Sequence, residues 1–528
     1  MLVPIGILLS LVFNISIAFY LANDQPNDGK LYAQLATNLL VQSVFSVEAQ
    51  APFTPTLIRL PGYPLFLAGV YSVFGQGNNS AVRVVQAVVY VVACLLVALI
   101  AWNWCGWTKR RRRKAAYLTF ILAAFCPFTA IYAATILTET LTMFFLAAMT
   151  LAATYGLISN GRRASILWWA CAGLLAGFAV LMRPDSGLFA LGLGLTLVIS
   201  VFIKRSVDVG FGQRLLSIFV RGIVFSVVFA LVLLPWTIRN EQVFGLFQPL
   251  APAHAEMPGE FVPRGYLLWV RTWIDDSRYI GPVLWDLEEK QIKIEQLPAY
   301  AFSSVEEKAW VAALLDQYNN SDPDQQKTAA DDKKNNGDSS TDNKDDGGDA
   351  ADDNAPDEPD PPDDGELDLK ISPEVDTGFQ QIAEQRIANE PAKYYVALPA
   401  KRAASMWFDT HSEYYPFGGE MFPVKDLDNE NYQNLWLPLL GSLMWIYTLL
   451  AFGGAIILLK RRTRLWLIMT ILLCLPRTAF FGTLENPEPR YLVEMFILAA
   501  ILGGILLSRF RIRSRDGSVA IEFLYQNG

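Results

Sequence analysis

Long apolar runs separated by short polar stretches dominate this chain, and a helix needs roughly 20 apolar residues to cross the hydrocarbon of a bilayer. Runs of suitable length predict spans at residues 2–20, 81–101, 115–133, 136–157, 166–182, 187–203, 217–236, 435–459, 465–481 and 491–508. The pattern therefore predicts an all-α polytopic membrane protein of about ten transmembrane helices. Its expected organisation is a module over 1–236 with a first outer loop at 21–80, a region over 237–434 free of spans, a second module over 435–508 and a tail over 509–528. The first run lacks the basic flank of a cleaved signal and is read as a retained span.

Basic clusters orient the spans, because Lys and Arg near span ends stay on the cytoplasmic side. Lys109–Lys114, Arg162-Arg163, Lys204-Arg205, Lys460-Arg461-Arg462 and Arg509, Arg511, Arg513 and Arg515 all fall on one face of the ten-span arrangement. Both termini are expected to be cytoplasmic. The other face then receives the first loop, the Arg183-Pro184-Asp185 turn, residues 237–434 and the Glu485–Arg490 loop. The expected location is the cytoplasmic membrane, with the polar loops that could carry chemistry on the outer side.

Net charge adds one feature. The chain totals −8, yet residues 322–368 alone hold 18 Asp or Glu against four Lys, so the remainder is net positive. That stretch has almost no large apolar residue, cannot offset the entropy of ordering, and is expected to be a disordered acidic insert of about 319–368 in a small exported region. All five cysteines lie in or beside spans, so the exported region is built without disulfides. No P-loop, zinc spacing or dinucleotide-binding motif is present, nothing points to nucleic acid, and with only His254 and His411 a histidine-based metal site or triad is disfavoured.

Candidate chemistry gathers at outward turns. Asp28 opens a polar segment just after the first span, with Tyr32 one helical turn on; Arg59, Glu139, Arg183, Arg239, Arg402 and Arg490 lie near the same boundary. Guanidinium forks match phosphate oxygens, while the plainer alternative is that arginines snorkel to lipid headgroups. Glu139 at the start of a span is either a carboxylate favoured by the helix dipole or a catalytic group.

Asp28-Gly-Lys-Leu-Tyr-Ala-Gln-Leu-Ala36 followed by Arg59-Leu-Pro-Gly-Tyr-Pro-Leu-Phe-Leu-Ala68 resembles the first outer loop of bacterial GT-C class membrane glycosyltransferases related to protein O-mannosyltransferases and the lipid A aminoarabinose transferase. Leu-Thr-Glu139, Met182-Arg183-Pro184, Leu234-Pro-Trp-Thr-Ile-Arg-Asn240 and Glu488-Pro-Arg490-Tyr491 resemble later landmarks of that family, in the same order. The resemblance covers residues 1 to about 250 and 390–508. It implies a GT-C-like bundle with an amphipathic juxtamembrane segment within Leu60–Phe74, a polyprenyl-phosphate sugar donor, and Asp28 as catalytic base; Glu139, by its own position at a span start, is the other candidate catalytic carboxylate. Tyr32, Arg59, Tyr63, Arg183, Arg239, Arg490 and Tyr491 are then candidate substrate-binding residues. A divalent metal is possible, as in some related enzymes, though no ligand cluster argues for one. The sequence departs from many relatives in following Asp28 with Gly29 in place of an Asp-Glu pair, and its exported region is short, which leaves the acceptor open among glycolipid, polysaccharide and protein. The alternative from another class is a transporter or flippase of a lipid-linked or anionic substrate, which would place its site near the midplane.

Overall fold

The computed structural model describes residues 2–21, 26–106, 108–203, 210–321, 369–419, 433–515 and 518–523. Lys204-Arg205 and the acidic insert 322–368 lie outside the described residues. The chain divides into two compact units: residues 1–261, 406–480 and 488–528 form one, and residues 262–405 with 481–487 form the other.

The first unit is helical apart from a short C-terminal hairpin. In chain order it contains α1 (Leu2–Tyr20), α2 (Asn27–Val41), α3 (Gly62–Phe74), α4 (Asn79–Trp104), α5 (Lys109–Ala124), α6 (Pro127–Ala134), α7 (Glu139–Ile158), α8 (Arg162–Met182), α9 (Gly187–Ile203) and α10 (Phe211–Phe244). Among the described residues, seven helices are long and apolar enough to cross a membrane, or eight if one bent pair is a single span. That pair is α5 and α6, bent by 56°. Here the expected continuous span 115–133 is broken, because Pro127 at the first position of α6 lacks the N–H that would continue α5. The helix α10 runs past the expected end at 236 and stops at Gly245, whose φ of 67° suits a residue without a Cβ.

The second unit contains α11 (Arg264–Arg271), α12 (Val305–Asn319), α13 (Pro373–Asn389) and most of α14 (Leu398–Phe408). Its core is aromatic: Tyr266, Trp269, Trp273, Tyr318 and Phe379 are buried together. Ser304 and Ser372 cap α12 and α13 by accepting from Glu307 N and Val375 N. Arg402, expected near the lipid boundary, is instead a buried tie, donating to the carbonyls of Ile274 (2.7 Å), Gly482 (3.2 Å) and Arg271. The flanks of the acidic insert meet, with Lys370 N donating to Ser321 Oγ at 2.8 Å.

The chain completes the first unit with α15 (Gln433–Leu458), α16 (Arg464–Gly482, whose last residues join the second unit) and α17 (Met495–Leu507). The expected span 491–508 begins only at Met495, because Pro489–Leu492 forms a 3-10 turn that carries Arg490 at its start. Strands β1 (Phe510–Arg515) and β2 (Ser518–Phe523) pair antiparallel in the tail, where no element is expected from sequence. Small residues set the helix spacing: a Cβ on Gly173 of α8 would lie 2.4 Å from Phe225 O of α10.

Candidate active site

Four features of local chain chemistry bring charged groups to one place in the first unit. Asp28 lies in the first turn of α2, where the helix dipole favours a carboxylate. Glu139 is the first residue of α7. Arg183 follows α8 in an extended conformation, φ −146° and ψ 124°, because the residue before a proline avoids the helical region. Arg490 sits in the 3-10 turn opened by Pro489.

The first outer loop is fastened beneath them. Gly62 packs so tightly that a Cβ would lie 2.5 Å from Leu181 O, two residues before Arg183, which explains the glycine of the Arg59–Pro64 motif. Beside it, Tyr63 is fully buried and donates to Gln86 Oε1 at 2.8 Å, while Gln86 Nε2 donates to Thr135 O at 2.8 Å in the segment that leads to Glu139. Where an amphipathic helix is expected within Leu60–Phe74, α3 buries Tyr63, Leu67 and Tyr71 and exposes Leu65 and, in its last turn, Val73 and Phe74, an apolar surface suited to lipid.

These elements enclose a cavity of about 290 Å³. Asp28, Tyr32, Arg59, Glu139, Arg183, Asp185 and Arg490 line it, and residues Ala251–Ala255 form another wall. Asp28 is held at both oxygens: Arg59 Nη2 donates to Oδ1 and Arg490 Nη1 to Oδ2, each at 3.1 Å. Burial pushes its carboxyl up, but the Arg490 and Arg59 guanidinium groups outweigh burial and hold it below the usual carboxylate range. Glu139 is 1% exposed and paired with Arg183 Nη1, so it faces the cavity already bound. Burial raises the Tyr32 hydroxyl to about 12, which keeps it a neutral hydrogen-bonding group.

Three of the expected binding residues are not on the cavity wall. Tyr63 is the buried tie just described. Arg239 donates to Thr56 O (2.8 Å) and Asn240 Oδ1 (2.9 Å) beneath the aromatic rings of Trp236 and Phe244, and so fastens the loop that carries Arg59. Its neighbour Asn240 donates to Gln248 O at 2.7 Å, steadying the approach to the 251–255 wall. Tyr491 underlies the site: Arg183 and Arg490 lie over its ring, 5.6 and 5.5 Å from the centroid, and its hydroxyl donates to Glu488 Oε1 at 2.9 Å.

Sequence reasoning missed the charges behind the wall. Arg477 of α16, fully buried, donates to both Glu494 oxygens at 3.2 and 3.1 Å and to Tyr491 O at 2.9 Å, and also pairs with Asp185. Asp185 in turn accepts from Arg183 Nε at 3.2 Å. Glu139, Arg183, Asp185, Arg477 and Glu494 thus form one chain of ion pairs. The available signal was a lone arginine and a lone glutamate at apolar span ends, since charge within a span is costly without a partner. Glu488, paired with Arg490 Nε, and Tyr414, which Arg490 Nη1 reaches at 3.5 Å, complete the surroundings.

Among the described residues no three His, Cys, Asp or Glu side chains come together to hold a metal ion. Asp28, Glu139 and Asp185 are each paired with arginines, so the donor set does not fit a metal. A larger groove of about 1100 Å³ between α8, α9 and α10 is lined by apolar side chains and Ser226, with no charged group. It offers no chemistry.

No curated protein matches the chain. Among solved structures, ArnT from Cupriavidus metallidurans bound to undecaprenyl phosphate is 14% identical with a TM-score of 0.38, covering 96% of this chain and 78% of that one. The same protein in the apo state is 14% identical with a TM-score of 0.33, covering 96% and 76%. At those TM-scores the likeness assigns no residue roles. Residues 55–236, which carry Arg59, Glu139 and Arg183, match the dolichyl-phosphate-mannose-protein mannosyltransferase family, the group of membrane glycosyltransferases that the sequence motifs resemble.

Proposed function

We propose that this protein transfers a sugar from a polyprenyl-phosphate carrier to an acceptor hydroxyl at the outer face of the bacterial cytoplasmic membrane. The observation that carries the proposal is Asp28 clasped by Arg59 and Arg490 in a cavity that also presents Arg183. One group can accept a proton; three can neutralise a phosphate.

In this mechanism the acceptor hydroxyl attacks the anomeric carbon and gives its proton to the Asp28 carboxylate, within about 2.6–3.2 Å in the reactive complex. The new carbon–oxygen bond forms as the bond to the carrier phosphate breaks, and the bonding pair leaves with the phosphate. Arg490, Arg59 and Arg183 stabilise the charge that develops there, fixed in advance by Glu488, the Ile58 carbonyl and Asp185. A single displacement inverts the anomeric configuration. Glu139 acts by holding Arg183.

The position of the site supports transfer over transport. Asp28, Glu139, Arg183 and Arg490 all stand at helix ends, whereas secondary transporters bind substrate near the bilayer midplane. Lipid-linked intermediates that accumulate when the gene is deleted, identified by mass spectrometry, reveal the sugar and its carrier. Supplied to the purified protein, that donor must lose its sugar to an acceptor; vectorial movement of the intact lipid across the bilayer would favour a flippase instead.

A further inference from the structure

A further step rests on the proposed function and concerns how the same site admits its donor. The cavity is balanced before anything binds, with Arg59, Arg183 and Arg490 facing Asp28, Glu139 and Asp185. Two of these carboxylates are fixtures. Glu139 is buried, and Asp185 is anchored from behind by Arg477.

Asp28 is different. Its side chain is 30% exposed, and its two oxygens are shared between two arginines that approach from different segments of the chain. A carboxylate held in this way takes the donors that two phosphate oxygens would take. It is also a poor base while so held, because both guanidinium groups favour its charged form. The assigned roles of Arg59 and Arg490 as phosphate ligands and of Asp28 as base are incompatible in this arrangement unless the arginines change partner.

We propose that Asp28 is the internal occupant of the donor-phosphate site: the incoming phosphate takes Arg59 and Arg490 from Asp28, and the freed carboxylate then serves as the base. Both arginines are built for such an exchange. Arg490 keeps Nε on Glu488 and its plane over Tyr491 while Nη1 changes partner. Arg59 keeps Nη1 on Ile58 O at 3.2 Å while Nη2 changes partner. Neither guanidinium has to leave the cavity. Tyr32 and His254 are the other titratable groups on the wall. The consequence is that the base is switched on by the substrate whose bond it helps to break, so an empty site does not hold an activated carboxylate.

The test measures binding of geranylgeranyl phosphate and of geranylgeraniol to the detergent-solubilised full chain. Wild type, Asp28→Asn, Arg490→Gln and the double variant are compared. With its internal competitor removed, Asp28→Asn is expected to bind the phosphate roughly five- to thirtyfold more tightly, the range set by two partly exposed ion pairs, and to bind the alcohol unchanged. In the Arg490→Gln background that gain should shrink by at least half, as a coupled pair requires. Equal or weaker phosphate binding by Asp28→Asn overturns the exchange. So does a gain kept in full without Arg490, which would reflect only the loss of a negative charge. If Arg490→Gln does not fold, Arg59→Gln takes its place in the cycle. The proposed function fails separately: wild type that shows no preference for the phosphate over the alcohol has no donor-phosphate site at these arginines.

Discussion

Replacing Arg477 with Met removes the centre of the buried ion-pair chain. Arg477 is fully buried, as is Glu494, and one guanidinium serves both Glu494 oxygens, Asp185 and the Tyr491 carbonyl. The substitution keeps an unbranched side chain of similar length but leaves Glu494 without its partner, while Asp185 retains Arg183 Nε. Removing one partner of a buried pair costs about 3–5 kcal/mol, mostly the penalty of the stranded charge. With the few degrees per kcal/mol expected of a large domain, the unfolding midpoint in detergent should fall by roughly 5–15 °C. The double variant Arg477→Met/Glu494→Gln removes the stranded charge and should recover at least half of that loss. A single variant as stable as wild type, or a double variant no better than the single, would refute the assignment of this chain of ion pairs as a structural support for Arg183.

Other outcomes follow from the same geometry. Glu139→Gln should lower turnover about tenfold, much less than loss of the base, because it loosens Arg183 without removing a proton acceptor; steady-state transfer with donor held constant measures it. Deleting residues 322–366 should leave expression and transfer unchanged, since Ser321 and Lys370 on either side are already hydrogen-bonded; a folded but inactive deletion would give the insert a role. Reporter fusions after residues 110, 162, 205 and 462 should read cytoplasmic and those within 237–434 exported, as the basic clusters require; a cytoplasmic signal from the long segment would place the cavity on the wrong side for a polyprenyl-linked donor.

Much of the bundle was legible because its helices are apolar and bounded by strong local signals. Pro184 follows the end of α8 where Arg183 must project, Pro489 opens the 3-10 turn that carries Arg490, and Glu139 opens a helix. The break at Phe125–Cys126 was not legible: an uninterrupted apolar run hides a bend whose only mark is Pro127. Nor could motif membership separate cavity wall from support. Tyr63 and Tyr491 stand in the same motifs as Arg59 and Arg490, and Arg239 in another motif of the same set, yet all three brace the loop and the arginines from behind. Arg477 and Glu494 were hidden for a further reason. Each is a single charge at the end of an apolar run, and its partner is contributed by another helix, so only tertiary structure pairs them.

The central claim is that Asp28 accepts the proton of the attacking hydroxyl, and single-turnover transfer by purified Asp28→Asn enzyme loaded with its lipid-linked donor tests it most directly. Asn keeps the size and a hydrogen-bonding oxygen but cannot accept a proton. The account predicts a loss on the order of 100-fold or more in the transfer rate, with donor still bound. Transfer at a near wild-type rate would contradict it.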